Sequence, residues 1–248
     1  MNLTSLPQPR ATAPANHART ATRTTLLDAA EQLFAANGIE GTSVRDITTA
    51  AGTSLGAVTY HFGSKDRLVL EVFARRLEPV NRARIARLDA LEKAAGKRSV
   101  ELSQIVKALV RPSLESEIPG EPRAEAFVRL IGRCFLEPHP LLKKFVEEQF
   151  GEVVKRFDAA ILRAVPELSQ AALSWRMTFL IGALHHAQTV WLQFGQFPRP
   201  ETMTTRPDLE EFIEALTTFV TAGLRAPLPR KASIGKHRVA AKSKQPKS

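Results

Sequence analysis

Apolar residues recur at intervals of three and four along most of the chain, which is the spacing that places them on one face of an α-helix. Glycines and prolines interrupt this pattern, and none of the segments between them shows the strict alternation that is typical of a half-buried strand. The sequence therefore predicts an all-α protein. The predicted helices span 20–37, 44–51, 55–61, 65–77, 79–95, 100–111, 124–137, 140–164, 168–195 and 208–224.

A pair of short helices within residues 42–62 is the most informative pattern in the chain. Both are amphipathic, and Leu55 is the first residue of the second that is expected to face inward. Gly52 lies between them, where a sharp connection needs a residue that tolerates positive φ, and the hydroxyls of Thr53 and Ser54 are expected to cap the second helix. A helix, a tight turn and a second helix form the unit that places a recognition helix in the major groove of DNA.

The outward side chains of this unit are small or able to form hydrogen bonds, as contact with bases and phosphates requires. Tyr60 and Lys65 are expected to reach phosphate, since the start of a helix favours an anion. Arg45 and Thr59 are expected to face base edges. The predicted DNA-binding residues are Thr42, Arg45, Thr53, Ser54, Gly56, Ala57, Thr59, Tyr60, His61 and Lys65.

Residues 23–70 also resemble the DNA-binding domain of TetR-type (AcrR/TetR) bacterial transcriptional regulators, through the segments LLDAAEQLFAANGIEGTSVRDIT and AAGTSLGAVTYHFGSKDRL. Thr48, Thr53 and Thr59 depart from the residues usual in that family, which bears on sequence preference more than on fold. Because helix-turn-helix geometry also occurs in bundles that never touch DNA, the length of the match is what favours DNA binding. The resemblance implies a homodimeric regulator, most often a repressor, that binds a pseudo-palindromic double-stranded operator.

The net charge of +10 resides at the two ends of the chain. Residues 1–25 carry three arginines and residues 230–248 carry seven lysines or arginines, with no acidic residue in either segment. Residues 19–70 carry five basic and five acidic residues, so bulk charge does not predict a basic DNA-binding domain. We expect the basic tail to be a disordered extension that adds nonspecific, salt-dependent affinity for DNA. A nonspecific DNA-packaging protein that acts through these tails is therefore an alternative function.

Several other classes of protein are disfavoured. No apolar run approaches the ~20 residues that span a bilayer, and the N-terminal segment lacks the apolar stretch of a secretory signal. The single cysteine, Cys134, fits a reducing cytoplasm, which suggests a cytoplasmic protein that associates with the nucleoid through DNA. Without an H-E-x-x-H, P-loop or G-x-G-x-x-G motif, the chain is not expected to be an enzyme or to need a cofactor or metal.

The predicted organisation has four parts: a disordered arm at 1–18, a helix-turn-helix domain at 19–66, a ligand-binding and dimerisation domain at 67–226, and a disordered tail at 227–248. Within the third part, helices 168–194 and 209–224 alternate small and large apolar residues. Small residues let helices approach closely, so this pair is expected to form a two-fold dimer interface, although the same pattern suits helices buried within one chain.

Residues 127–157 and 174–187 resemble the fatty-acid-responsive, PsrA-like subgroup of these repressors, which implies a long-chain fatty acid or its acyl-CoA as inducer. Their apolar faces suit either an elongated ligand cavity or an ordinary filled core. Arg176 is the best candidate to hold an anionic head group, and a drug or aromatic compound is the alternative ligand. The candidate ligand-binding residues are Phe127, Ile131, Cys134, Phe135, Trp175, Arg176 and Phe179.

The position of Phe127 leads to one further expectation. It lies far in sequence from the helix-turn-helix unit, so replacing it with Ala should hardly change operator affinity while weakening the response to ligand.

Overall fold

The computed structural model describes residues 13–116, 122–136, 139–194 and 205–227. Every regular element within these ranges is an α-helix, which confirms the predicted all-α class. In chain order the helices are α1 (Ala13–Asn37), α2 (Val44–Ala50), α3 (Ala57–Phe62), α4 (Lys65–Ala95), α5 (Leu102–Glu115), α6 (Pro122–Leu136), α7 (Pro140–Ala164), α8 (Gln170–Leu192) and α9 (Leu209–Arg225).

The first helix begins earlier than the sequence predicts. It starts at Ala13 rather than at residue 20, so the end of the predicted disordered arm is helical. Residues 1–12 and most of the predicted tail lie outside the described ranges. The helix ends as predicted, because Gly38 adopts a φ of 79° that few other residues tolerate.

Helix α4 is continuous where the sequence predicts two helices, at 65–77 and 79–95. Pro79 lies inside it and is exposed to solvent. An internal proline removes one backbone hydrogen bond and costs about 3 kcal/mol. This cost is offset because both halves of the helix are anchored, with Phe73 in one apolar cluster and Leu88 in another.

Two main apolar clusters fill the interior of the described chain. The first joins α1, α2, α3 and the start of α4 to α6 and the start of α7. The second, the effector core, joins the rest of α4 to α5, α7, α8 and α9. The first cluster crosses the predicted domain boundary at residue 66, since its buried residues include Leu68, Val69, Val72, Phe73, Ala126, Phe127, Leu130, Leu142 and Phe145.

The last two helices present opposite faces to the core and to solvent. On α8, Leu173, Leu180 and Leu184 are buried within the chain. The outer face carries large apolar side chains that are about two-thirds exposed: Trp175 and Phe179 on α8, at 67% each, and Phe219 on α9, at 68%. No element within the described ranges covers these side chains of α8 and α9.

Candidate functional site

The helix-turn-helix is held together by local hydrogen bonds. Ser43 and Asp46 form a capping box at the start of α2: the backbone N–H of Ser43 donates to Asp46 Oδ2 at 2.9 Å, and the Asp46 N–H donates to Ser43 Oγ at 3.2 Å. The hydrogen bonds from Ser43 lower the pKa of Asp46, so this carboxylate stays ionised. The tight turn follows, where Gly52 has the positive φ that the sequence predicts, 62°.

The recognition helix begins later and is shorter than predicted. Gly56, rather than Thr53 or Ser54, occupies the N-cap position of α3, and no side chain caps the helix. The reason is a turn at its start, in which the Ala57 N–H donates to Ser54 O at 2.9 Å. This turn leaves Leu55 63% exposed, so the prediction that Leu55 faces inward is wrong.

The structure sorts the predicted DNA-binding residues by exposure. The exposed ones are Arg45, Ser54, Gly56, Thr59 and Tyr60, while Thr53, His61 and Lys65 are half-buried. Thr42 and Ala57 are buried. The hydroxyl of Thr42 donates to Gly38 O at 2.8 Å, so it anchors the loop before α2 and is not available to a phosphate.

Two arginines of α1 extend this surface, and the sequence analysis did not select either of them as a candidate. The guanidinium of Arg19 lies 5.4 Å from the centre of the Tyr60 ring, and that of Arg23 lies 5.2 Å from the Phe62 ring. Burial lowers the pKa of His61, with Arg19 and Arg23 as smaller causes, so its imidazole is neutral near pH 7. The earlier start of α1 is what brings Arg19 onto a helix facing Tyr60.

Four of the five acidic residues that balance the charge of this unit accept hydrogen bonds within the chain, and the fifth, Asp66 in the first turn of α4, is exposed. Arg75 of α4 donates to Asp28 at 2.7 Å and to Glu31 at 2.5 Å, and Arg76 donates to Glu31 at 2.7 Å. Glu40 accepts from the ring of His139 at 2.8 Å. Asp46 is tied into its capping box.

The predicted ligand-binding residues of α6 pack against the helix-turn-helix unit. Phe127 is buried, and its ring meets Phe73 of α4 edge to face, with 6.1 Å between ring centres. Ile131 and Cys134 are partly buried against the same cluster. The side chain of Phe135 lies outside the described residues. In addition, Arg133 donates to the backbone oxygen of Ala36 at 3.0 Å, which fixes α6 to the end of α1.

The predicted ligand-binding residues of α8 lie elsewhere. Trp175 and Phe179 stack on each other on the exposed face, with 6.3 Å between ring centres. Arg176 donates to the backbone oxygens of Leu224 and Ala226, both at 2.5 Å, so its guanidinium caps the end of α9. The structure therefore does not bring the α6 and α8 candidates together around one cavity.

Two cavities stand out in the described part of the chain, and neither matches the predicted one. A groove of about 400 Å³ between α4 and α5 is lined by Arg87, Ala90, Leu91, Gln104, Lys107, Ala108 and Arg111. A second, of about 270 Å³, lies beside Arg176 and the end of α9. Within the described ranges no three His, Cys, Asp or Glu residues are grouped as a metal site. Nor is any described helix both long enough and apolar enough to cross a membrane.

Comparison with known sequences gives two family matches. Residues 26–72 match the model described as bacterial regulatory proteins, tetR family, and residues 107–223 match the tetracyclin repressor-like C-terminal domain. The chain is 50% identical over 50 residues to the HTH-type transcriptional repressor KstR2 of Rhodococcus jostii, a stretch that is 20% of this chain and 24% of that protein. It is 41% identical over 63 residues to the repressor AcnR of Corynebacterium efficiens, covering 24% and 34% of the two chains. The matched stretches thus span a quarter to a third of these relatives.

A solved structure extends the similarity of the fold to most of the chain. The fatty acid degradation regulator FadR from Bacillus halodurans superposes with a TM-score of 0.53, over 82% of this chain and 96% of the other. The two sequences are 16% identical in this alignment. At that level the likeness concerns the arrangement of helices.

Proposed function

The chain belongs to the TetR family of bacterial regulatory proteins, and from that membership we propose that it is a sequence-specific transcriptional repressor. It would act in the cytoplasm as a homodimer, bind a pseudo-palindromic operator in double-stranded DNA, and leave the operator when it binds an apolar ligand. The resemblance of residues 127–157 and 174–187 to fatty-acid-responsive repressors supports a long-chain fatty acid or acyl-CoA as that ligand.

The observation that carries the DNA-binding proposal is the surface around α3. It combines a backbone that is open at Gly56, a hydrogen-bonding side chain at Thr59, and the aromatic and basic pair Tyr60 and Arg19. An added methyl group at Gly56 would meet no atom of the chain within 4 Å, so the space beside this helix is free for a partner. These are the features that major-groove readout and phosphate contact require.

The outer face of α8 and α9 supports the homodimer. Trp175, Phe179 and Phe219 would be costly to leave in water, and the exposed Gly182 and Ala222 allow the helices of a second copy to come close. Trp175 and Phe179 therefore suit a dimer interface better than the ligand site for which the sequence suggested them. Dimerisation would place two α3 helices on half-sites about 34–36 Å apart, or a small multiple of that distance.

Release from DNA would follow from the position of α6. This helix contacts α1 through Arg133 and α4 through the Phe73–Phe127 pair, and its Gly132 faces His185 of α8. A ligand that prefers a different packing of α6 would also change the orientation of the helix-turn-helix unit. The free energy of operator binding would then be weakened by at most the difference between the free energies with which the ligand binds the two packings of α6.

Selection of random duplex DNA with the purified full-length protein tests the DNA-binding part of this proposal. A repressor should enrich a pseudo-palindromic site and bind it far more tightly than random DNA at moderate salt. A chain without residues 230–248 is the control, because a packaging protein would lose most of its binding whereas a repressor would keep its preferred site. Failure to enrich any site would refute the proposal.

The ligand part is tested with the selected operator. Oleate and oleoyl-CoA are added to the protein–operator complex, and an aromatic drug-like compound serves as the comparison. Release by the aromatic compound alone would favour the alternative ligand class, and release by neither lipid would exclude the fatty-acid response.

A further inference from the structure

Arg84, near the middle of α4, is buried and has no carboxylate partner among the residues that the structure describes. Only 6% of the residue is exposed. Its Nε donates to the backbone oxygen of Leu109 at 2.9 Å, its Nη1 to Asn81 Oδ1 at 2.9 Å, and its Nη2 to Ser113 Oγ at 2.5 Å. All three acceptors are neutral. Burial lowers the pKa of Arg84 to about 10, so the guanidinium is still charged near pH 7.

Other arginines of the same helix are paired with acids. Arg75 and Arg76 bind Glu31, and Arg87, one turn from Arg84, binds Glu115. A buried cation is costly unless an anion compensates it. A guanidinium also offers five N–H donors, so the three bonds described here leave two of them for a ligand.

Arg84 belongs to a polar layer that crosses the protein between the two main apolar clusters. Asn81 donates to the backbone oxygen of Gln149 on α7 at 2.9 Å, and Gln188 of α8 donates to the backbone oxygen of Ser113 at 3.4 Å. The ring of Phe150 lies 5.9 Å from the Arg84 guanidinium. Four helices, α4, α5, α7 and α8, therefore meet at this layer.

The layer borders the effector core on one side. On each of the four helices, a buried apolar residue of the effector core lies one turn away from a residue of the polar layer. These apolar residues are Leu88 on α4, Leu109 on α5, Val153 on α7 and Leu184 on α8. A charged group next to a continuous apolar region suits a ligand with an anionic head and a hydrocarbon tail.

We propose that Arg84 holds the carboxylate of a free long-chain acid, with the hydrocarbon chain in the adjacent effector core. The proposal rests on the proposed response to a fatty acid and specifies how that ligand would be recognised. The planar guanidinium can bind a carboxylate through two parallel hydrogen bonds. A thioester has no charge at this position, so the site favours the free acid over its acyl-CoA.

Ligand binding to the full-length protein tests the role of Arg84. Oleate, oleyl alcohol and oleoyl-CoA are titrated separately, at concentrations below those at which they form micelles. Wild type should bind oleate at least about tenfold more tightly than the alcohol, which is the lower end of what hydrogen bonds to a charged group contribute. Arg84→Met should bind oleate and the alcohol equally. Arg87→Met, which removes an exposed arginine of the same helix, should keep the preference of wild type.

A purely structural role for Arg84 predicts a different result. The Met variant would then unfold at a lower temperature but keep any preference for oleate, which would overturn the proposal. Equal binding of oleate and the alcohol by wild type, or tighter binding of oleoyl-CoA than of oleate, would also overturn it.

A measurement on wild type alone covers the case in which the Met variant fails to fold. The carboxyl carbon of oleate labelled with ¹³C is followed by NMR as the pH is lowered. An adjacent guanidinium should keep the bound carboxyl ionised at a lower pH than in the free acid, whereas an unchanged or higher titration midpoint would refute the contact. Neither measurement uses DNA, so a failure here is distinct from a failure to select an operator.

Discussion

Replacing Phe127 with Ala should weaken the connection between the effector core and the DNA-binding unit. Phe127 is 5% exposed and its ring meets Phe73 edge to face. Burial of such a side chain contributes about 1.5–3 kcal/mol, and an aromatic pair adds about 0.5–1.5 kcal/mol. These two contributions agree with the ~3–5 kcal/mol that Phe to Ala changes cost in protein cores. Much of this loss falls on the contact between α6 and α4.

The matched control is Phe157→Ala. Phe157 is fully buried in the effector core, so it should lose a similar amount of stability while leaving the contact of α6 with α1 and α4 intact. Both variants are checked by thermal unfolding at equal protein concentration, because dimerisation makes the midpoint depend on concentration. If Ala is not tolerated, Leu at both positions gives a milder version of the same comparison.

The assay is operator affinity without oleate and at saturating oleate for each variant, measured by fluorescence anisotropy below the unfolding range of both variants. Saturation removes from the comparison any change in oleate affinity that the cavity at Phe157 in the effector core causes. In Phe127→Ala, oleate should lower operator affinity by a smaller factor than in wild type. The reason is that a change in the effector core is no longer transmitted through α6 to the helix-turn-helix unit. The coupling free energy between two binding sites, here those for oleate and the operator, is typically about 1–3 kcal/mol. The reasoning fails if Phe127→Ala keeps the full response, or if Phe157→Ala loses as much of it.

Four other substitutions test the remaining assignments. Gly56→Ala should leave the melting temperature unchanged, since the new methyl meets no atom within 4 Å, but it should weaken binding to the selected operator; equal affinity would move Gly56 away from DNA. Tyr60→Ala should weaken binding to specific and random DNA alike, as measured by anisotropy at several salt concentrations. Phe219→Glu should give monomers in analytical ultracentrifugation, and a stable dimer would place the interface elsewhere. The pKa of Glu210 is lowered to about 2, first by its hydrogen bond to Arg111. Glu210 therefore stabilises the fold above its ordinary pKa, and this stabilisation is lost as the pH falls toward 2. Glu210→Gln should be less stable than wild type in urea near neutral pH, and the difference in stability between the two proteins should become smaller at about pH 3.

The sequence predicted the helix-turn-helix well because its signals are local. The turn at Gly52 depends on residues within three or four positions, and the structure shows it, whereas the caps expected at Thr53 and Ser54 are not formed. The predictions that failed had both local and distant causes. The hydroxyl of Thr42 bonds to Gly38, only four residues away, whereas the continuity of α4 through Pro79 depends on two separate clusters.

The location of the ligand-binding candidates could not be deduced from periodicity. An apolar stripe on α6 shows that this helix packs against another part of the chain, but only the fold shows that Phe127 shares an apolar cluster with residues of the DNA-binding unit. The expectation that Phe127 is remote from that unit assumed that distance in sequence implies distance in space. By contrast, Asn81 and Arg84 were visible in principle, since they fall at helical spacing between Leu77 and Leu88 on the inner face of α4.

The first apolar cluster has a consequence for engineering hybrid regulators from this chain. Its buried residues come from α1 to α3 and equally from α4, α6 and α7, so a segment cut at residue 66 would leave Leu26, Phe34 and Ile47 partly uncovered. A chimera that joins residues 19–66 to the ligand-binding domain of another regulator would need that domain to supply apolar side chains equivalent to Phe127 and Leu130. Transplanting only the exposed side chains around α3 would change the operator that is read while the interior stays as it is.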